Sequence, residues 1–357
     1  TASLGSVLQN ADKATDLVTL TEKAGDSGDL LNTVFANADK AADLKAVVDS
    51  ADAAISKGAT VDVSNLLANA DKADKLKELA VVAETAGGDA DSADLLAEVF
   101  GNADKAEELA TIMSKSGGDV ETQKALLRSA EQAEALALAV QDAETEAGSS
   151  PANFDNLFTV VKQVDQKKQR AKALEAQAAD LSIDTSTKEA ITAITSISGL
   201  KSKLTELLTA KGISSEVAAN IFKAKDLDPT PIDGITPTNV ETLLNDASIT
   251  GDAKILAKDL WVVVNARKES LISEQGFQNI KTLTDIAASS GGSAEAVLDT
   301  ALENVEQVNQ LAVLIEAGGD DTTLIDQLAT GGDAFDFDEA LESGALSTLK
   351  STRFTDQ

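Results

Sequence analysis

The sequence predicts an all-α protein, an elongated, right-handed, α-solenoid-like array of helical hairpins, on three observations. A phrase built on Asn-Ala-Asp-Lys-Ala recurs along the first part of the chain. Apolar residues follow the phrase at helical spacing: Leu44, Val47, Val48 and Ala51 fall at i, i+3, i+4 and i+7, one face of an α-helix. Apolar residues make up 43% of the chain but aromatic residues only 3%, so Ala, Leu and Val must fill the core, which suits closely packed helices better than sheets.

The repeat is read first at Leu4–Ala14 (LGSVLQNADKA), then at Leu31–Ala41, Ser64–Ala73 and Leu96–Ala106. Degenerate copies are expected at Leu126–Ala133, Leu157–Asp165 and Leu298–Val308. The marker acid stands at Asp12, Asp39, Asp71, Asp104, Glu131 and Asp165, at intervals of 27, 32, 33, 27 and 34 residues. Such uneven spacing fits a helical repeat of about 27–34 residues whose loops tolerate insertions, and not a coiled coil, which needs a strict heptad. Each unit reads as a short helix, the motif, a longer helix of about three to four turns and a Gly-bearing loop. Leu30–Ala51 contains no Gly or Pro, yet Gly101 just before Asn102 favours a break at the motif, so two helices per unit are expected. Asp29, Asp94 and Ser293 are expected to cap the helices that follow the loops.

The middle of the chain is less regular. Lys162–Lys172 is basic and Gln-rich, and Ala173–Leu181 continues as helix. Ile191–Leu208 forms one amphipathic run. Three of the four Pro residues lie within 226–237, which predicts a linker between a repeat domain over residues 1–226 and a second over 227–357. Beyond it Asn239–Leu244 opens a helix, and Leu260–Val264, strand-like in composition, is expected to be a buried helix because its surroundings are helical.

Composition excludes much chemistry. With no Cys there are no disulfides, thiolate nucleophiles or cysteine zinc sites, and with no His there is no imidazole base or pH switch. Thirty basic residues against 60 acidic ones give a net charge of −30, which argues against nucleic acid as a partner. No apolar run approaches the length of a transmembrane helix, and neither a signal peptide nor a lipidation motif is read. P-loop, dinucleotide-fingerprint and nucleophile-elbow motifs are absent, so no enzyme activity is expected.

Three sets of residues are candidates for a site. Asn10, Asn37, Asn69, Asn102 and Asn304 recur at the motif; each is expected to N-cap the helix that follows it. The competing role is to hold a partner peptide's backbone, since an amide donates and accepts at once. Three acidic clusters could offer oxygens to Ca2+: Asp89, Asp91 and Asp94; Asp226, Asp228 and Asp233; and, the strongest, Asp333, Asp336, Asp338 and Glu339. None follows the EF-hand spacing, and helix caps on a solvated acidic surface are the expected reading. The basic residues Lys162, Lys167, Lys168, Arg170 and Lys172 are expected to form an exposed helix face, and Trp261 to lie in the core.

The repeat pattern, the acidity and the missing Cys and His together point to a non-enzymatic structural protein without a bound cofactor. It is expected to be a secreted or cell-surface prokaryotic protein that assembles with copies of itself or coats a surface. A monomeric scaffold that binds a peptide or protein on its concave face is the alternative. The first repeat begins mid-unit at Leu4 with no polar cap, so a longer array or a covering subunit is expected at that end.

Overall fold

The computed structural model describes residues 2–148, 152–224, 238–289 and 308, and every element among them is helical. The chain divides into two compact units, Thr1–Lys162 and Gln163–Gln357.

In the first unit the motif does what its repetition suggests. Helices α1 (Ala2–Gln9), α3 (Gly28–Ala36), α5 (Val63–Ala68) and α8 (Val120–Arg128) each end at a three-residue 3-10 turn. Those turns are Ala11–Lys13, Ala38–Lys40, Ala70–Lys72 and Ala130–Gln132. A fifth turn, Ala103–Lys105, follows α6 (Ala73–Gly101). Longer helices leave the turns: α2 (Ala14–Ala24), α4 (Ala41–Ser56), the first part of α6, α7 (Ala106–Lys115) and α9 (Ala133–Ala147). The expected two helices per unit are therefore present, including across Leu30–Ala51.

Helix α6 is continuous only in its hydrogen bonding. Gly88 has φ 57° and ψ −148°, a conformation that interrupts the helix where the sequence places the loop between two repeats. Its neighbour Gly87 is required for a different reason. A Cβ there would lie 2.5 Å from the Ser92 amide nitrogen, so only Gly lets the returning chain pass this closely.

Short helices pack on short ones (α1 on α3, α3 on α5) and long ones on long ones (α2 on α4, α4 on α6, α7 on α9). The first residue of each long helix and the residue three before it are both Ala. In repeats two to five these pairs (Ala38 and Ala41, Ala70 and Ala73, Ala103 and Ala106, Ala130 and Ala133) are all buried. Leu17, Leu44, Leu76, Leu109 and Leu136 occupy the next inward position, all buried. Each Leu stabilises its layer by about 1.5–3 kcal/mol.

The degenerate copy expected at Leu157–Asp165 is not a repeat junction. Helix α10 (Asp155–Ala179) runs through it without a 3-10 turn, and Asp165 is buried rather than exposed. Here Gln163 stands in the Asn position and Lys167 in that of a buried Ala, where a long cation would not fit. The copy at Leu126–Ala133 is a true junction, with Ser129 replacing Asn.

The copy expected at Leu298–Val308 lies outside the described residues apart from Val308, and among its described residues the second unit shows no repeat junction. It contains α11 (Thr185–Thr192), α12 (Ile197–Thr209), α13 (Ser215–Lys223), α14 (Thr238–Asp246), α15 (Gly251–Gln278) and α16 (Ile280–Ser289). Leu260–Val264 lies inside α15 and is buried on consecutive positions, so this stretch of the helix is enclosed rather than amphipathic. Trp261 is fully buried, and its indole N–H donates to the Ala224 carbonyl at 3.2 Å. The expected single run Ile191–Leu208 is broken in two. Ser196 caps α12 by accepting from the Gly199 amide at 3.1 Å, and Arg267 donates to the carbonyl of Ile194 at 2.9 Å. The linker expected within 226–237 lies outside the described residues, apart from its flanks. One core cluster includes Phe222 before it and Val240 and Leu244 after it.

Candidate functional site at the repeat junctions

The motif residues take three separate roles. Asn10, Asn37, Asn69 and Asn102 do not N-cap the helices that follow, since none accepts a hydrogen bond from a downstream amide. Their backbones sit near φ −106° and ψ 33° at Asn37, outside the extended region an N-cap requires. Each side chain instead donates backward to the carbonyl four residues earlier: Ser6 at 2.9 Å, Thr33 at 3.0 Å, Asn65 at 2.9 Å and Glu98 at 2.9 Å. The last carbonyls of a helix have no partner within it, and the amide supplies one. Ser129 repeats the bond with its hydroxyl, to Ala125 at 2.7 Å. Asn304 lies outside the described residues. The sequence reading missed Asn279, at the end of α15, which donates to the Gln275 carbonyl at 3.1 Å. The shared Phe-x-Asn of Phe35–Asn37, Phe100–Asn102 and Phe277–Asn279 was the available signal.

The lysine of the motif links one repeat to the next. Lys13 donates to the main-chain carbonyl of Asp39, Lys40 to that of Asp71, Lys72 to that of Asp104, and Lys105 to that of Glu131, the last at 2.5 Å. The buried Ala residues on either side let the turns approach closely enough for this reach. Lys40 also pairs with the Asp74 carboxylate at 2.9 Å. That hydrogen bond holds Lys40 above the ordinary ammonium range and Asp74 below the ordinary carboxylate range.

A second row of contacts runs along the long helices, from the ninth residue after the first Ala to the eleventh of the next repeat. Lys23 pairs with Asp52 at 2.7 Å, Ser50 donates to Glu84 at 2.9 Å, and Lys115 pairs with Glu144 at 2.5 Å. These pairs are solvent-accessible, and each is worth about 0–1 kcal/mol. Their value is register: a slip of one residue would bring unlike partners together. The marker acids Asp12, Asp39, Asp71, Asp104 and Glu131 stay exposed, so each junction carries an acidic side chain at the surface.

The N-caps that do form lie in the loops. Ser27 accepts from Leu30, Asp62 from Ser64 and Asp119 from Thr122. The expected caps Asp29 and Asp94 instead fall inside α3 and α6, and Ser293 lies outside the described residues. The same device in the second unit, Asp184 at the start of α11, lowers that carboxyl to about 2. The Ser186 and Thr187 hydroxyls contribute most, followed by the Thr187 amide.

Among the remaining candidates, Asp91 pairs with Lys124 at 3.1 Å and Arg128 at 3.4 Å. Among the described residues, no group of three or more acidic side chains is placed to hold a metal ion. Asp226, Asp228, Asp233, Asp333, Asp336, Asp338 and Glu339 lie outside the described residues. The basic stretch is not a uniformly exposed face. Lys162 pairs with Asp119 at 3.6 Å, while Lys167 (3.6 Å) and Arg170 (3.4 Å) flank the buried carboxylate of Glu269. Only Lys172 of the five is exposed.

A cavity of about 290 Å3 opens between the end of α4 and the Gly88 interruption, lined by Ala54, Lys57, Glu84, Asp89, Ser92 and Leu96. Lys57 donates to Ser92 at 3.4 Å there. Among the described residues, no helix is long and apolar enough to cross a membrane. Compared with protein-family models, with curated proteins and with solved structures, the chain matches none.

Proposed function

We propose that the protein is a non-enzymatic structural protein, a solenoid-like stack of helical repeats that assembles with copies of itself or with another protein. The observation that carries this reading is the use of the motif. Its amide, lysine and alanines end one helix and attach the next repeat, so the chemistry that recurs from unit to unit is stacking chemistry. A repeat whose apolar face is not covered by a neighbour needs a polar cap or an association to cover it.

A secreted or cell-surface location belongs to the same reading. It is supported by the lack of Cys and by the excess of acidic residues, which keeps an exposed surface soluble. A monomeric scaffold with a peptide on its concave face draws less support. The Asn amides that would hold such a peptide already donate to their own helices.

Light scattering coupled to size-exclusion chromatography, with electron microscopy of the same fractions, tests the proposal. Mass that rises with concentration, or ordered assemblies on grids, is the expected result. A strictly monodisperse monomer at high concentration, with and without an added protein extract or Ca2+, contradicts it.

A further inference from the structure

The cavity between the end of α4 and the Gly88 interruption is lined by a buried hydroxyl that the protein does not satisfy. Ser92 stands ten residues before the motif Asn102, as Ser27 stands ten before Asn37 and Asp119 ten before Ser129. Ser27 and Asp119 are N-caps that accept from the Leu30 and Thr122 amides. In the fourth repeat the chain is helical again directly after Gly88, so Ser92 lies a turn inside the helix and caps nothing. It is only 4% exposed. The other buried hydroxyls of this unit all donate: Thr122 to the Asp119 carboxylate, Ser116 to the Met113 carbonyl at 2.8 Å and Ser129 to the Ala125 carbonyl at 2.7 Å. Ser92 donates to nothing among the described residues. Its one hydrogen bond there is accepted from Lys57, and at 3.4 Å it is long. A buried donor without an acceptor is destabilising, and an oxygen placed in the cavity would supply one.

The walls define what that oxygen belongs to. Lys57 carries three N–H donors and uses one of them, on the long bond to Ser92, so hydroxyl and ammonium together offer donors to one acceptor group. The opposite charge lines the same cavity. Asp89 has no ion pair or hydrogen bond among the described residues, and Glu84 accepts from Ser50 through one oxygen only, at 2.9 Å. Ala54 and Leu96, both at most 3% exposed, contribute apolar surface. The two carboxylates disfavour a phosphate or other dianion, and Lys57 disfavours a simple ammonium ion. A molecule that carries both charges satisfies both walls, and about 290 Å3 is ample for one the size of a free amino acid.

We infer that this cavity binds a small zwitterion, an α-amino acid with an apolar side chain. Its carboxylate accepts from Ser92 and Lys57, its ammonium faces Asp89 and Glu84, and its side chain rests on Ala54 and Leu96. The site uses neither the Asn nor the Lys of the repeat motif, so it is independent of the assembly proposed above.

An NMR titration of the full chain with L-valine tests it, with isovalerate, which lacks the ammonium, and isobutylamine, which lacks the carboxylate, as half-probes. L-Valine is expected to give saturating amide shifts at Ala53, Ala54, Ser92 and Ala93 with a Kd in the millimolar range or below, and each half-probe to bind about tenfold or more weakly. Ser92→Ala and Lys57→Gln should each weaken L-valine by about tenfold. Both variants should fold, because Lys57 is exposed and Ser92 makes only the one long bond. Ala53→Phe, at an exposed position of the cavity wall, should block L-valine without altering a polar group. No saturable shift with L-valine, as expected of a cavity that holds water alone, overturns the inference. So does equal binding of either half-probe, or unchanged L-valine binding in Ser92→Ala or Lys57→Gln.

Discussion

The two units handle polar groups in opposite ways. In Thr1–Lys162 the buried polar side chains among the described residues are hydroxyls: Ser92, Ser116, Thr122 and Ser129. Ser116 and Ser129 donate to carbonyls of their own helix at 2.8 and 2.7 Å. No carboxylate or ammonium side chain of that unit is buried as a whole among the described residues, although one carboxylate oxygen of Glu108 is. The second unit buries the carboxylates of Asp165 and Glu269 and the amide of Asn265. Asn265 donates to Trp261 at 2.9 Å, and Glu269 is flanked by Lys167 and Arg170. A layer that must be copied uses interactions that tolerate small differences between copies, whereas a packing made once can be fixed by a buried ion cluster at the cost of desolvation.

Trp261→Ala is the strongest probe of that difference. Removing the indole from the centre of the α15 core should cost about 3–5 kcal/mol. Thermal unfolding with hydrogen exchange should show the loss in residues 163–289 while Leu44, Leu76 and Leu109 stay protected. An equal loss in both units would break the comparison.

Glu269→Ala tests the buried cluster directly. It leaves two cations without their carboxylate, but Lys167 and Arg170 remain 23% and 21% exposed. The expected loss is therefore about 2–3 kcal/mol, below that of fully buried pairs. Chemical denaturation with unchanged slope checks it.

Ala103→Leu against Ala11→Leu sharpens the contrast within the repeats. The first overfills a closed junction and should destabilise by about 1–3 kcal/mol. The second enlarges an exposed face and should fall within about 0.5 kcal/mol of the parent. Comparable losses would show that the first repeat is not open. Smaller still is Asn69→Ala, which frees one carbonyl at a half-buried helix end. A loss of about 0.5–1.5 kcal/mol, with helicity by circular dichroism nearly unchanged, is expected.

The smallest effect is in pH. Asp74 lies below its ordinary value of 3.8 because Lys40 donates to it, so its contribution is present above that value and is lost as pH falls through the lowered folded value. Lys40 lies above 10.5 for the same reason, so its contribution is present below 10.5 and is lost as pH rises through the raised value. In Lys40→Gln the acid-side dependence assigned to Asp74 should disappear, as measured by NMR titration of its carboxyl against that of Asp184. The latter should still titrate near 2, since its partners are the Ser186 and Thr187 hydroxyls.

Much of the architecture was legible in the sequence because a repeat is read many times. Five copies fixed the motif, the helical face of Leu44–Ala51 and the break before Asn102. The lysine ladder was legible only as an unexplained regularity: a Lys after Asp in four copies. Its acceptor is a main-chain carbonyl about thirty residues away, which no side-chain pattern records. The direction of the Asn bond was misread because Asn serves either side of a helix boundary. Backbone angles, not residue type, decide which. The Asp165 copy misled for the opposite reason. Its apolar spacing matched, but the two alanines that make a junction possible were missing. Glu269 was hidden because its partners lie on another helix, about a hundred residues earlier in the chain.

Native-state hydrogen exchange along residues 5–148 tests most directly whether the motif holds a stack of repeats together. Nearest-neighbour stacking predicts a graded profile, with the first repeat (Leu8–Leu20) least protected and the repeats around Leu44, Leu76 and Leu109 most protected. A flat profile from Leu17 to Leu136, or greatest protection in the first repeat, would contradict it.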